Sequence, residues 1–342
     1  MNATGKILVI KPSSLGDVVH LFPALELLRR SFPDKELDFV IHPAFAGLLD
    51  FSPFPVRKKI LFDRKKLGSL WRFPLEVFKL LRELRREEYE LVIDFQGLLR
   101  SGLMAASVRS CIIAGFEKPR EKAAVWFYSK KIPVNMEQHA VSRYVELVNK
   151  LCFTSFEVPE VKLPSRPSGI ADLPERYVVM VPGARWESKK FPPELFGNIF
   201  LEIKKRVPGC GTVIVGAACD KKEAQKIREL VPEALDLTGK TSLAQLIPIM
   251  GQAEAVITND SGPMHIAALT GTRIFALFGP TRPDLTGPWG EKNEIITCSG
   301  LQCLECMKRF CPAASECHRI DPVRTGEKIA AYIQQKSSGV QL

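Results

Sequence analysis

The sequence predicts an α/β protein of two paired domains, and three observations predict it. Strand-like and helical runs alternate through both halves, a proline-rich stretch separates them, and two loops far apart in the chain share one grammar. With 342 residues and 46% hydrophobic content the chain can bury two ordinary cores, since single domains usually run to roughly 100–200 residues.

In the first half, Lys6–Ile10, Leu37–Ile41, Leu91–Asp94 and Ile112–Gly115 read as strands, while Phe22–Ser31 and Leu75–Glu88 have helical spacing and charged outer faces. Parallel strands with crossover helices follow from that alternation. Between Val158 and Pro174 the segment VPEVKLPSRPSGIADLP holds several prolines and almost no periodicity, the composition of a linker. The pattern then restarts: Tyr177–Val181, Thr212–Gly216, Ala255–Ile257 and Ile274–Phe278 read as buried strands, and Arg324–Gln335 as a final helix before a tail expected to be disordered. The expected organisation is a domain over 1–160, a linker over 161–174, a second domain over 175–322, and a terminal helix and tail over 323–342.

The shared grammar is in Lys11-Pro-Ser-Ser-Leu-Gly-Asp17, after the first strand, and Thr258-Asn-Asp-Ser-Gly262, after Ala255–Ile257. In each, a β-type run stops at small polar residues and glycine, and a helical pattern begins (Val18 to Arg30; Met264 to Leu269). Free backbone N–H groups then converge at a helix N-terminus, a geometry that binds anions. Asp17 lies at the carboxyl end of a strand, where open parallel sheets place their ligand crevices. Its carboxylate can take a proton from an attacking hydroxyl or can serve as an N-cap, and spacing supports both. Ser261 and Gly262 offer hydroxyl and backbone donors to a diphosphate, and Pro263 suits the first helical turn. His265 lies in that turn, as a ligand contact or a satisfied core histidine. Lys189 and Lys190, before the helix starting near Pro193, can neutralise a leaving phosphate or form a solvated charged face. Neither loop is Gly-x-Gly-x-x-Gly or a Gly-x-x-x-x-Gly-Lys motif, which counts against dinucleotide and P-loop readings.

Lys and Arg outnumber Asp and Glu by 48 − 38 = 10. Such a surface favours phosphates, nucleic acid or anionic lipid headgroups. The run from Arg57 to Lys66 carries six cations against one acid, and Lys118, Arg120 and Lys122 add to the same half. No zinc-finger spacing, RNP-like aromatic pattern or helix-turn-helix accompanies the charge, so nucleic acid is not an expected partner. Neither a signal-peptide pattern nor a membrane span is expected at the start, which reads as cytoplasmic. Among the nine cysteines, Cys303-x-x-Cys306 is a knuckle that Cys311 and Cys317 can complete to four thiolates. A small structural zinc site, disulfides or free buried thiols all fit that spacing.

Taken in order, Ser13-Ser14-Leu15-Gly16-Asp17-Val18-Val19-His20, Asp94-Phe-Gln-Gly-Leu-Leu-Arg-Ser101, Gln138-His-Ala-Val141, Lys189-Lys-Phe-Pro192, Asn259–His265 and Gly279-Pro-Thr281 resemble the ADP-heptose:lipopolysaccharide heptosyltransferases, with the segments at 94–97, 116–121 and 138–141 most similar to heptosyltransferase I. The resemblance implies a GT-B architecture, two Rossmann-like domains facing across a cleft, with acceptor on the N-terminal side and nucleotide-sugar on the C-terminal side. It implies Asp17 as catalytic base and Lys189, Asp220, Asp260, Ser261, Gly262 and His265 as donor contacts; with the basic excess, which suits carboxylates and phosphates, the expected acceptor contacts are Ser14, Gly16, Arg57, Lys58, Gln96, Arg120 and His139. Cys219-Asp220 departs from the usual Glu, and Ala184 and Arg185 replace small hydroxyl residues of some members. The implied reaction is an inverting transfer of heptose from ADP-heptose to the Kdo sugar of Kdo-lipid A at the cytoplasmic face of the inner membrane, the enzyme bound peripherally to that anionic surface; the alternatives are addition of a second or later heptose, or binding of nucleotide sugar or glycolipid without turnover. No Asp-x-Asp occurs to hold a cation on the diphosphate, so no obligatory metal or cofactor is expected.

Overall fold

The structure is a computed structural model that describes residues 5–63, 73–163, 167–311 and 316–338. The chain divides into two compact units, Met1–Val161 and Lys162–Leu342. The expected terminal tail at 339–342 and the cations at 64–66 lie outside the described residues.

Among the described residues the first unit has strands β1 (Lys6–Ile10), β2 (Glu36–Ile41), β3 (Val56–Leu61), β4 (Glu88–Asp94), β5 (Arg109–Phe116) and β6 (Lys130–Ile132). They form one parallel sheet in the order β3-β2-β1-β4-β5-β6. The second unit has β7 (Tyr177–Val181), β8 (Gly211–Ile214), β9 (Leu235–Asp236), β10 (Ala255–Asn259), β11 (Ile274–Leu277) and β12 (Glu294–Ile296), ordered β12-β11-β10-β7-β8-β9. Counted from its own first strand, the second sheet has the same order as the first. The strand order reverses between β1 and β4 and again between β7 and β10, and ligands of doubly wound sheets bind at such switch points. β7 and β10 are buried from end to end, because parallel sheets are covered on both faces and their strands become continuous apolar runs.

Three elements differ from the sequence expectation. The helical run after Asp17 is two helices, Leu15–His20 and Phe22–Ser31, with Pro23 in the first turn of the second; proline cannot continue the preceding hydrogen-bond ladder. The helix expected to reach Glu88 ends at Leu84, and Glu88 opens β4, where Leu91 to Asp94 pair with β1. The basic run at 56–61 is a strand, β3, on the sheet edge; lysine and arginine on an edge discourage pairing with a second chain.

In the second unit, Pro193–Arg206 begins with proline and Glu194 and ends with Lys204, Lys205 and Arg206, the arrangement its dipole favours. Phe196, Phe200 and Ile203 from this helix and Ile329 and Ile333 from Pro322–Ser337 share one core. The two helices approach closely at Gly326, where a Cβ would lie 2.4 Å from the Glu202 Cβ.

Candidate active site

The loop after β1 carries Asp17 into the first turn of Leu15–His20. Ser14 is the N-cap, and its backbone N–H and hydroxyl both donate to Asp17 Oδ2, at 2.8 and 2.9 Å. Asp17 therefore serves the cap from the third helical position, not as the N-cap itself. The loop after β4 is built on Asp94, which is fully buried and accepts from the Gln96 and Gly97 N–H groups and from the Ser101 and Tyr128 hydroxyls. Burial raises the Asp94 carboxyl more than those donors lower it, so it sits above the ordinary aspartate range. Gln96 Oε1 accepts the Ser13 N–H at 3.2 Å and so joins the two loops across the switch point.

Lys11, absent from the residues singled out by sequence, lies between these loops. It is 4% exposed, donates to the Phe95 carbonyl at 3.1 Å and lies 5.2 Å from the centre of the Tyr144 ring. Burial disfavours its charge, but Tyr144, Asp17 and Asp94 outweigh that, and its pKa lies above the ordinary lysine value. The available signal was a lysine continuing the apolar strand Ile7–Ile10 directly into a polar loop.

Gly97, at φ +64°, leaves room for the next loop: a Cβ there would meet the Pro119 Cβ at 3.1 Å and the Arg120 N at 3.4 Å. Arg120 is exposed on that neighbouring loop, and Glu121 binds it to the Gly97 carbonyl and the Leu99 N–H. His139 caps Ala140–Cys152 and meets His20, at the end of the Asp17 helix, edge to face at 5.0 Å. Gly16 is buried in that same helix. The structure thus groups Ser14, Gly16, Asp17 and Gln96, with Arg120 and His139 on adjoining segments.

Arg57 and Lys58 are the correction. They sit at the start of β3, the end of the sheet away from these loops. Arg57 binds the fully buried Asp38 through Nε and Nη2, with Glu36 and Glu87 beside it, and Lys58 pairs with Glu83 at 2.7 Å. A bidentate partner to a buried carboxylate is committed to the fold.

In the second unit the loops after β7 and β10 converge. Asn259 Nδ2 donates to the Pro182 carbonyl at 2.6 Å, and Lys189 Nζ lies 2.6 Å from Asp260 Oδ2 and 4.6 Å from the centre of the Trp186 ring. Asp260 is 6% exposed and also accepts the Thr281 hydroxyl at 2.6 Å. Ser261 is the N-cap of Gly262–Thr270, and His265 is buried one turn in. Asp220 accepts the Ala217 N–H at 2.8 Å, and its carboxylate fills the space beside Gly183, where a Cβ would lie 2.3 Å from Oδ2. Lys190 instead pairs with Glu223 at 3.0 Å.

The cysteine-rich segment is held by its backbone against this same site. The Glu305 and Met307 N–H groups donate to the Gly279 and Pro280 carbonyls, Ser188 bonds to the Lys308 and Arg309 carbonyls, and His318 Nε2 lies 2.8 Å from the Ser188 carbonyl. Cys303, Cys306 and Cys317 are in no disulfide. Burial, then the neighbouring Cys311, Cys303 and Cys306, push the Cys317 thiol up to about 11. Among the described residues no group of three or more His, Cys, Asp or Glu is arranged to hold a metal ion. What was missed is that the segment braces the Lys189 and Thr281 loops.

The sequence family described as glycosyltransferase family 9 (heptosyltransferase) matches residues 77–316. The chain is similar to lipopolysaccharide heptosyltransferase 1 of Pseudomonas aeruginosa, 30% identical over 90% of this chain and 87% of that one. It is also similar to lipooligosaccharide heptosyltransferase 2 of Campylobacter jejuni, 26% identical over 90% of this chain and 91% of that one. Among solved structures, Escherichia coli heptosyltransferase WaaC with ADP-2-deoxy-2-fluoro heptose superposes with a TM-score of 0.72 at 23% identity, over 85% of this chain and 92% of that one. That likeness spans both units and shows a GT-B fold.

Proposed function

Because the chain belongs to glycosyltransferase family 9, the heptosyltransferases, we propose that it transfers heptose from ADP-heptose to the Kdo sugar of Kdo-lipid A, with inversion and without an obligatory metal. Its class is a heptosyl-transferring glycosyltransferase of lipopolysaccharide core synthesis. One observation supports the finer reading most: Asp17 and Lys189 occupy equivalent loops, after β1 and after β7, of two units with one strand order. An inverting transfer needs a base and an anion-stabilising group, and these two loops offer a candidate for each.

In this mechanism Asp17 takes the proton of the attacking acceptor hydroxyl as the new C–O bond forms and the bond to the diphosphate oxygen breaks. Ser14, by holding Oδ2, fixes the carboxylate's orientation. ADP leaves toward Lys189 and the N–H groups opening Gly262–Thr270, where the helix dipole and the ammonium stabilise the developing charge. Asp260 is an anion and suits the diphosphate poorly; held by Thr281, it positions Lys189. Asp220, beside Gly183 and Gly216, is assigned to the nucleotide ribose from the family resemblance, and Ser261 and His265 are assigned to the donor pocket with it. Gln96, Arg120 and His139 contact the acceptor, with Arg120 suited to its carboxylates.

A second reading, addition of a later heptose, is favoured by relatives named heptosyltransferase 2 over similar spans of the chain. The deciding experiment incubates the protein and its Asp17→Ala variant with ADP-heptose and Kdo-lipid A in EDTA, following ADP release and acceptor mass. Heptose addition by the parent alone is the expected result. An acceptor left unchanged by a parent that adds heptose to an already heptosylated core selects the second reading, and loss of parental turnover in EDTA overturns metal independence.

A further inference from the structure

Two helices of the first unit, Phe73–Leu84 and Leu99–Ala106, pack on one face of its sheet, where Leu84, Met104 and Ala105 join Leu8 and Ile10 in one core cluster. A surface helix that has buried one apolar stripe normally turns polar residues outward. These two also carry Leu75 and Phe78, and Leu99 and Leu103, on their exposed sides, with Phe78 62% exposed. The turn Lys122–Phe127 lies directly on the second helix: a Cβ at Gly102 would meet Phe127 Cδ2 at 2.7 Å. That turn carries Trp126 outward at 80% exposure. Lys79, paired with Glu76 at 3.0 Å, and Arg82 extend the Leu75–Phe78 row at helical spacing and are exposed, as are Lys118, Arg120 and Lys122 around the turn, with Glu117 and Glu121 among them. Single exposed apolar residues are ordinary, whereas several on one layer with cations among them mark an interaction surface.

We propose that this outer helical layer docks on an anionic phospholipid bilayer, with Phe78, Leu103 and Trp126 entering the headgroup region and Lys79, Arg82 and Lys122 meeting lipid phosphates. Apolar side chains interleaved with long cations suit a lipid interface, where the stems bury and the charges reach the headgroups. No helix among the described residues is long and apolar enough to cross a membrane, so such contact is superficial. The inference rests on the reading of a lipid-linked acceptor: Leu99 directly follows the loop at 94–98, so the apolar surface begins at the edge of the acceptor site.

The test is co-sedimentation with phosphatidylglycerol–phosphatidylethanolamine vesicles against phosphatidylcholine vesicles. Three cations at the surface should favour the anionic vesicles roughly a hundredfold, and binding should fall as salt rises from about 0.05 to about 0.5 M. The Phe78→Glu/Leu103→Glu/Trp126→Glu variant should lose vesicle binding while transferring heptose to a soluble deacylated acceptor at the parental rate. Quenching by brominated acyl chains, read as the difference between parent and Trp126→Phe, decides the matter if the triple variant does not fold. A parent that ignores anionic vesicles, a folded triple variant that binds as well as the parent, absence of Trp126 quenching, or a dimer that the triple substitution dissociates would each overturn the proposal. Failure of the parent to use the soluble acceptor while still binding vesicles would break the transferase reading and leave the docking surface standing.

Discussion

At the β1/β4 switch point, the loop after the first strand delivers a carboxylate, Asp17, near the buried Lys11, and the partner loop is organised by the buried Asp94. At the β7/β10 switch point the polarity is exchanged: the first loop delivers the ammonium of Lys189 onto the nearly buried Asp260. The strand order is the same in both units, so the backbone brings the same loop ends together. What differs is the residue each loop presents. A doubly wound sheet thus supplies a place where chemistry happens, and a few side chains decide whether it holds a base or binds an anion.

The sharpest way to break this comparison is at Asp17. Asp17→Asn keeps a side chain able to accept from Ser14 but removes the proposed base, and turnover should fall roughly 10²–10⁴-fold while ADP affinity, measured by calorimetry, stays at the parental value. A parallel loss of ADP affinity would mean that the two sites do not divide the work. Next comes Lys189→Ala, expected to cost about 3–4 kcal/mol at the transition state and to weaken ADP binding as well. Unchanged kcat/KM would remove Lys189 from the anion site.

Arg57→Met tests the correction made by the fold. It strands the buried Asp38 carboxylate, so urea unfolding should show a loss of about 3 kcal/mol, with acceptor KM per folded molecule unchanged. A raised KM at parental stability would return Arg57 to the acceptor site. The smallest effect concerns His318, whose ring lies 4.3 Å from Phe191 and whose Nε2 meets the Ser188 carbonyl. Burial lowers its pKa below the ordinary histidine value, and the Ser188 carbonyl raises it only part of the way back. The folded state therefore holds the neutral ring, and its stabilising contribution is complete above the unfolded value, about 6.5, and lost as pH falls below it. Melting temperature should drop between about pH 7 and pH 5, and less steeply in His318→Gln; identical pH profiles would show that the brace behind Lys189 does not depend on this histidine.

The strands at both switch points were legible because parallel strands buried on both faces are apolar runs that end abruptly in small polar residues. β3 was not, since its edge position permits Arg57, Lys58 and Lys59 where a central strand would be apolar. Asp17, Lys189 and Ser261 stood out because each lies in a short local pattern. Lys11 and Asp94 did not stand out as charged groups, because an apolar run before a charge marks a strand end without showing which loops will close over it.

By itself, then, the sequence determined the alternation of elements, the break between the halves, and the loops that end β1, β7 and β10, all of which depend on residues a few positions apart. Only the tertiary structure decided which groups meet: Arg57 with Asp38, Lys189 with Asp260, Asp260 with Thr281, and Lys308, Arg309 and His318 with Ser188. The physical reason is range. Periodicity and turn chemistry act along the chain, whereas the strength of a charge depends on its burial and on partners that the sheet order brings from 19 to 130 positions away.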